Sequence, residues 1–120
     1  MILVVTWDGK AVDVAYTLRA LGRETMVTGL VDAETGAALR RELLAAGLRE
    51  SLFDLAGPRL SVSDWADFLG GFYALAARAS TVVVAGGLPA GFPADAFAQL
   101  KRTTPTPVLP VEDFDAHADR

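Results

Sequence analysis

Three short runs constrain the fold of this chain more than anything else in it. Met1 to Thr6 (MILVVT), Thr25 to Val31 (TMVTGLV) and Thr81 to Ala85 (TVVVA) are apolar, β-branched and nearly free of polar alternation. Such runs suit strands covered on both faces, as in a parallel sheet held between helices. Between them the hydrophobic period changes. Ala11, Val14, Ala15, Leu18 and Leu21 recur at helical spacing, and Gly22 stops that helix. Glu34 to Ala46 predicts a second helix, with Leu39, Leu43 and Ala46 on one stripe and Gly47 as its cap.

The rest of the chain continues the alternation. Ser51 to Leu55 is a weaker strand candidate, and Ala56-Gly57-Pro58 breaks it. Ser61, with Asp64 three places on, has the pattern of a capping box with Asp where Glu or Gln is usual. The helix behind it carries Trp65, Phe68, Leu69, Phe72, Leu75 and Ala76. Pro93 suits the first turn of a helix running to about Lys101. Val108 to Val111 is the last strand candidate, weakened by Pro107 and Pro110. The order predicts a three-layer α/β/α sandwich around a mostly parallel sheet of about five strands, a Rossmann-like half domain with right-handed crossovers. One domain over residues 1–112 and an acidic, frayed tail over 113–120 account for the chain.

Composition narrows the function. No cysteine is present, which excludes a disulfide framework, a thiolate metal site and a cysteine nucleophile. Eleven Lys and Arg against 15 Asp and Glu give a formal charge of −4, so the basic footprint of a nucleic-acid binder is missing. No apolar run approaches the roughly 20 residues of a membrane span, and no secretory signal opens the chain. The expectation is a cytoplasmic protein with no nucleic-acid or membrane partner.

A more specific pattern begins at Asp8. The segment DGKAVDVAYTLRALG, Asp8 to Gly22, resembles the GGKGxNVAxxLxxLG stretch of the ribokinase/PfkB carbohydrate kinases, and of their 1-phosphofructokinase and tagatose-phosphate kinase branch in particular. Three further blocks agree in order. Thr28 to Leu48 is similar to that family's second strand and helix, Gly57 to Phe72 (GPRLSVSDWADFLGGF) to its GPxLSxxExxxF stretch, and Val82 to Leu100 (VVVAGGLPAGFPADAFAQL) to VVLSGSLPPGxPxDxYxxL.

The resemblance implies a ribokinase-like fold with a sugar or sugar-phosphate site at the C-terminal ends of the strands. It points to Asp8, Gly9, Lys10, Ala11 and Asp13 after the first strand. Gly86 and Gly87 end a strand where backbone N–H groups can meet a ligand. Glycine lets a backbone approach an anion, and Lys10 supplies positive charge near a helix N-terminus. The departures are as informative. Asp8 and Ala11 stand for two family glycines, Asp13 for an Asn, and Asp32 and Ala33 for two more glycines. Carboxylates at positions 8 and 13 repel a phosphate. The family's lid insertions, after Thr6 and around Ala56, are absent, and no GxGD occurs in the 120 residues. Phosphoryl transfer works by positioning and charge neutralisation. Without the family's catalytic Asp, anion hole and nucleotide pocket, the resemblance implies a truncated, lidless relative.

The expected function is therefore a binding or interaction protein without kinase activity alone, with no catalytic residue, metal or cofactor. An apolar fraction of 52% in so small a chain, with sheet edges needing cover, favours a homodimer joined by helices, the Trp65 helix among them. Two alternatives stand beside it. One is an enzyme of changed chemistry, acting on a sugar or phosphorylated metabolite through Asp8, Lys10 and Asp13. The other is one half of a split carbohydrate kinase. Other candidates have plainer readings. His117, among Asp113, Asp115 and Asp119, belongs to a solvated tail rather than an acid–base or metal site. Trp65, Phe68, Leu69 and Phe72 are core rather than a binding face, and Arg40, Arg41 and Arg49 form a solvated face. Asp54 is assigned no role.

Overall fold

A computed structural model of the chain describes residues 1–9 and 12–115. Five strands, β1 (Ile2–Thr6), β2 (Thr25–Val31), β3 (Arg49–Asp54), β4 (Thr81–Ala85) and β5 (Val108–Pro110), form one sheet in the order β3-β2-β1-β4-β5. Every neighbouring pair is parallel. Four helices, α1 (Val12–Ala20), α2 (Ala33–Ala45), α3 (Val62–Ala76) and α4 (Ala96–Thr103), connect the strands.

The continuous apolar runs become central strands because both of their faces are covered. On β1, Ile2 and Val4 pack with Ala15, Leu18, Leu39 and Leu43 of α1 and α2. The alternate residues, Leu3 and Val5, pack with Trp65, Phe68, Phe72 and Leu100 of α3 and α4. Trp65, Phe68 and Phe72 are therefore core, as their helical spacing predicts.

The mixed sequence of β3 has the same origin. It lies on the sheet edge, paired only with β2, and of its six residues only Leu52 is buried. Arg40 on α2 ties this edge down. Its guanidinium donates to Asp54 Oδ1 at 3.0 Å and to the Leu52 carbonyl at 2.9 Å. Asp54 thus has a structural role, and Arg40 is less solvated than its neighbour Arg41. Arg49 lies 3.6 Å from Glu24 in an exposed ion pair.

β3 runs over Arg49–Asp54 rather than Ser51 to Leu55, and two boundaries further on differ from expectation as well. Pro93 precedes α4 by a turn: its carbonyl accepts the Ala96 N–H at 3.0 Å, and the helix starts at Ala96. Val111 leaves the last strand and opens a 3₁₀ turn to Asp113. Phe114 then packs against the core on the α1 side of the sheet. Residues 116–120, His117 included, lie outside the described residues, as do Lys10 and Ala11.

The Ser61 capping box forms as read. Ser61 Oγ accepts the Asp64 N–H at 3.0 Å, and Asp64 Oδ2 accepts the Ser61 N–H at 3.2 Å. Ser61→Ala is expected to cost about 1 kcal/mol, the ordinary value of a lost N-cap, read as a lower denaturant midpoint at unchanged slope.

Candidate functional site

The strand order fixes where a ligand can sit. From β1 the chain winds outward through β2 to β3, then returns across β1 to β4 and β5. The reversal falls between β1 and β4, whose last residues, Thr6 and Ala85, are in register. In open α/β sheets the crevice outside this switch point is the ligand-binding position.

Both chain exits at the switch point need glycine. Gly9 adopts φ 85° and Gly86 φ 93°, in the left-handed region. The Gly9 N–H donates to Thr6 Oγ1 at 2.9 Å, which folds the segment back over the end of β1. Across the gap, a Cβ on Gly86 would meet Asp8 Oδ1 at 2.9 Å, so the carboxylate lies directly against the β4 exit.

Trp7 stands at the centre of this end of the sheet. It is 5% exposed, and its ring centroid is 5.5 Å from Phe68, 5.5 Å from Phe92 and 6.0 Å from Trp65. Beside it opens a cleft of about 550 Å³ whose lining includes Trp7, Asp32, Arg59, Leu60, Pro89 and Phe92. Its walls come from the end of β2 and the segments that follow β1, β3 and β4. On the opposite face, Asp8, Gly9, Glu34, Thr35 and Glu42 border a shallower, acidic hollow of about 460 Å³. Gly86 borders a third hollow of about 300 Å³ with Trp7, Leu88, Phe97 and Glu112.

Asp8, Gly9 and Gly86 therefore meet at the switch point. Asp13 does not join them. It is exposed in the first turn of α1 and borders a separate groove with Val14, Thr17 and Phe114. Gly87 is exposed on the loop after β4. Sequence reasoning missed Trp7, Arg59 and Phe92, and it read Asp32 only as a lost glycine. One signal was present for all four. Each lies just after a strand or in the loop that follows one, on the side where a parallel sheet presents its ligands.

The electrostatics of the cleft are set by helix caps. Asp32 caps α2: Oδ1 accepts the Thr35 N–H and Oδ2 the Thr35 hydroxyl, each at 2.8 Å. The Thr35 backbone N–H, aided by its hydroxyl, holds the Asp32 carboxyl below its ordinary range. A helix N-terminus that could have received an anion is thus occupied by the chain's own carboxylate. Asp64 performs a second task. Its Oδ1 accepts the Ala56 N–H at 3.3 Å while Oδ2 holds Ser61, so one side chain ties both ends of the loop carrying Arg59. The Ser61 backbone N–H is the main cause of its lowered pKa. Across α4, Trp65 Nε1–H donates to Gln99 Oε1 at 2.7 Å, and Gln99 Nε2 donates to Asp95 Oδ1 at 2.9 Å. The Gln99 amide chiefly keeps the Asp95 carboxyl low.

Asp32, Asp64 and Asp95 hold a proton less tightly in the folded chain than at the unfolded value of 3.8. Their stabilisation is present above that value and is lost as pH falls below it. Thermal unfolding from neutral pH down to about pH 3 is expected to show a falling Tm below about pH 4, with a shallower fall in Asp32→Asn.

Chemically, the cleft offers an aromatic wall, an anionic acceptor and one cation. Asp32 retains lone pairs for further hydrogen bonds, and Arg59 adds forked donors. Among the described residues, no group of three or more His, Cys, Asp or Glu is placed to hold a metal ion.

No protein-family model matches the chain. Its architecture does match a crystal structure of a Staphylococcus aureus protein provisionally described as a phosphofructokinase, with a TM-score of 0.72 at 17% sequence identity. The two share a Rossmann-type fold, here a five-stranded parallel sheet with four helices. The match covers 86% of this chain and 49% of the other, so the chain spans about half the length of the protein it resembles. Among the described residues, no helix is long and apolar enough to cross a membrane.

Proposed function

We propose that these 120 residues form a cytoplasmic, self-associating binding domain of PfkB sugar-kinase type that takes a sugar-like ligand and transfers no phosphate by itself. The observation that carries this reading is the cleft beside Trp7. It lies at the ligand position of the fold, has an aromatic wall with a few polar groups, and has its nearest helix N-terminus filled by Asp32. An aromatic wall beside a carboxylate that fills the nearest helix N-terminus suits a hydroxylated, uncharged ring better than a phosphorylated one, with Arg59 donating to its hydroxyls. The absence of GxGD from the sequence supports the lack of transfer. The reading with an acid–base cluster of Asp8, Lys10 and Asp13 is less favoured, because Asp8 and Asp13 border different hollows.

The test is a titration followed by tryptophan fluorescence, since Trp7 lines the cleft. D-fructose is expected to bind more tightly than fructose 1-phosphate, and Arg59→Ala to weaken fructose binding roughly tenfold, as for one lost hydrogen bond to a charged group. No response to either ligand at about 10 mM, beyond the weakest affinity worth naming, contradicts the ligand class. Equal binding by the Arg59→Ala variant contradicts the site.

A second reading is favoured by the half-length match: one chain of a two-chain kinase. Co-purification with a protein bearing GxGD and a nucleotide site supports it, and solitary purification from the native source opposes it.

A further inference from the structure

The outer face of α3 is unusual for a helix against solvent. Ser63, Ala66, Asp67, Gly70, Ala74 and Ala77 are exposed along it. Val62 and Tyr73, at 91% and 56% exposure, flank the same side. A Cβ at Gly70 would meet nothing within 4 Å, so this face has no cover from its own chain. α3 contains only two charged residues, Asp64 and Asp67. Asp64 is engaged in the capping box, whereas Asp67 has no ion pair or side-chain hydrogen bond among the described residues. Arg78, exposed in the turn that closes the helix, also has neither.

Asp67 and Arg78 are about three helical turns apart, on neighbouring sides of one face. They are equidistant from the midpoint between Phe72 and Tyr73. An antiparallel second copy of α3, related by a twofold axis through that midpoint, brings Asp67 of each copy to Arg78 of the other. The small residues between them let the two helices approach closely, and the rings of Tyr73 border the contact. The charge pattern is thus complementary to itself under twofold rotation, the symmetry of most homodimers.

From this we infer that the occupant of the α3 face is a second copy of this chain, in an antiparallel α3–α3 pairing closed by two Asp67–Arg78 ion pairs. The inference rests on the self-association proposed above and names its surface. A pairing of one helix per copy falls at the small end of specific interfaces, so it is reversible and depends on concentration.

Sedimentation of the full chain tests it. A dimer is expected to form in the micromolar range, and Ala74→Glu to weaken it at least tenfold, as for a charge placed at the centre of an interface. Asp67→Arg and Arg78→Asp are each expected to weaken the dimer, and the double variant to restore it. Both positions are exposed, so the charge exchange reads the interface even if Ala74→Glu folds poorly. A wild-type chain that stays monomeric at about 100 μM overturns the inference and the self-association together. A dimer indifferent to Ala74→Glu, or single charge variants that the double exchange does not rescue, overturns the inference alone.

Discussion

Gly29→Ala is expected to unfold this protein or leave it barely stable. Gly29 sits in the middle of β2, opposite Thr6 of β1. A Cβ there would lie 1.8 Å from the Thr6 carbonyl oxygen and 2.9 Å from its carbon. Both are backbone atoms, so no side-chain rotation relieves the overlap, and the two central strands would have to separate. Overpacking of a core ordinarily costs about 1–3 kcal/mol, and a forced backbone shift in a parallel pair belongs at or above the top of that range. Thermal melting should show a fall of at least about 10 °C, by the usual conversion for a domain of this size. Thr6 also receives the Gly9 N–H, so the same substitution displaces the segment at the mouth of the sheet. A melting curve like that of the wild type would mean that β1 and β2 are not paired in this register.

Phe68→Ala carries the second large effect. The Phe68 ring is fully buried, and its centroid lies 5.5 Å from Trp7, 5.6 Å from Trp65, 5.7 Å from Phe53 and 6.1 Å from Phe72. It joins the sheet, α3 and the wall of the cleft in one aromatic cluster. Truncation leaves a cavity and should cost about 3–5 kcal/mol, measured by denaturant unfolding. Trp7 loses its support in the same step. Fructose binding should therefore weaken by more than the loss of folded protein explains, even under conditions where the variant is fully folded. A loss under about 1 kcal/mol would place Phe68 outside a packed core.

The architecture was legible in the sequence wherever burial is uniform. β2 and β4 run over the residues read for them, because a strand covered on both faces writes itself as an unbroken apolar run. β3 was faint for the opposite reason: an edge strand needs few apolar residues, and RESLFD has only two. The start of α4 was displaced because Pro93 suits a turn as well as a helix. Strand order is a long-range property, so the meeting of Asp8 with Gly86 followed from topology rather than from spacing. Nothing local in the sequence singles out Trp7, because its aromatic partners, Trp65, Phe68 and Phe92, arrive from distant segments. Asp32 read as a loss of glycine, whereas the structure gives it a positive task as the cap of α2.

The half-length structural match supports the fold, and the proposed account adds that this half holds a sugar-like ligand without phosphorylating it. The most direct test incubates the purified chain with ATP labelled at the γ-phosphate, a divalent cation and a panel of hexoses and hexose phosphates. The account predicts that no label reaches any sugar. Label transferred to a sugar by this chain alone, and abolished by Arg59→Ala, would contradict it.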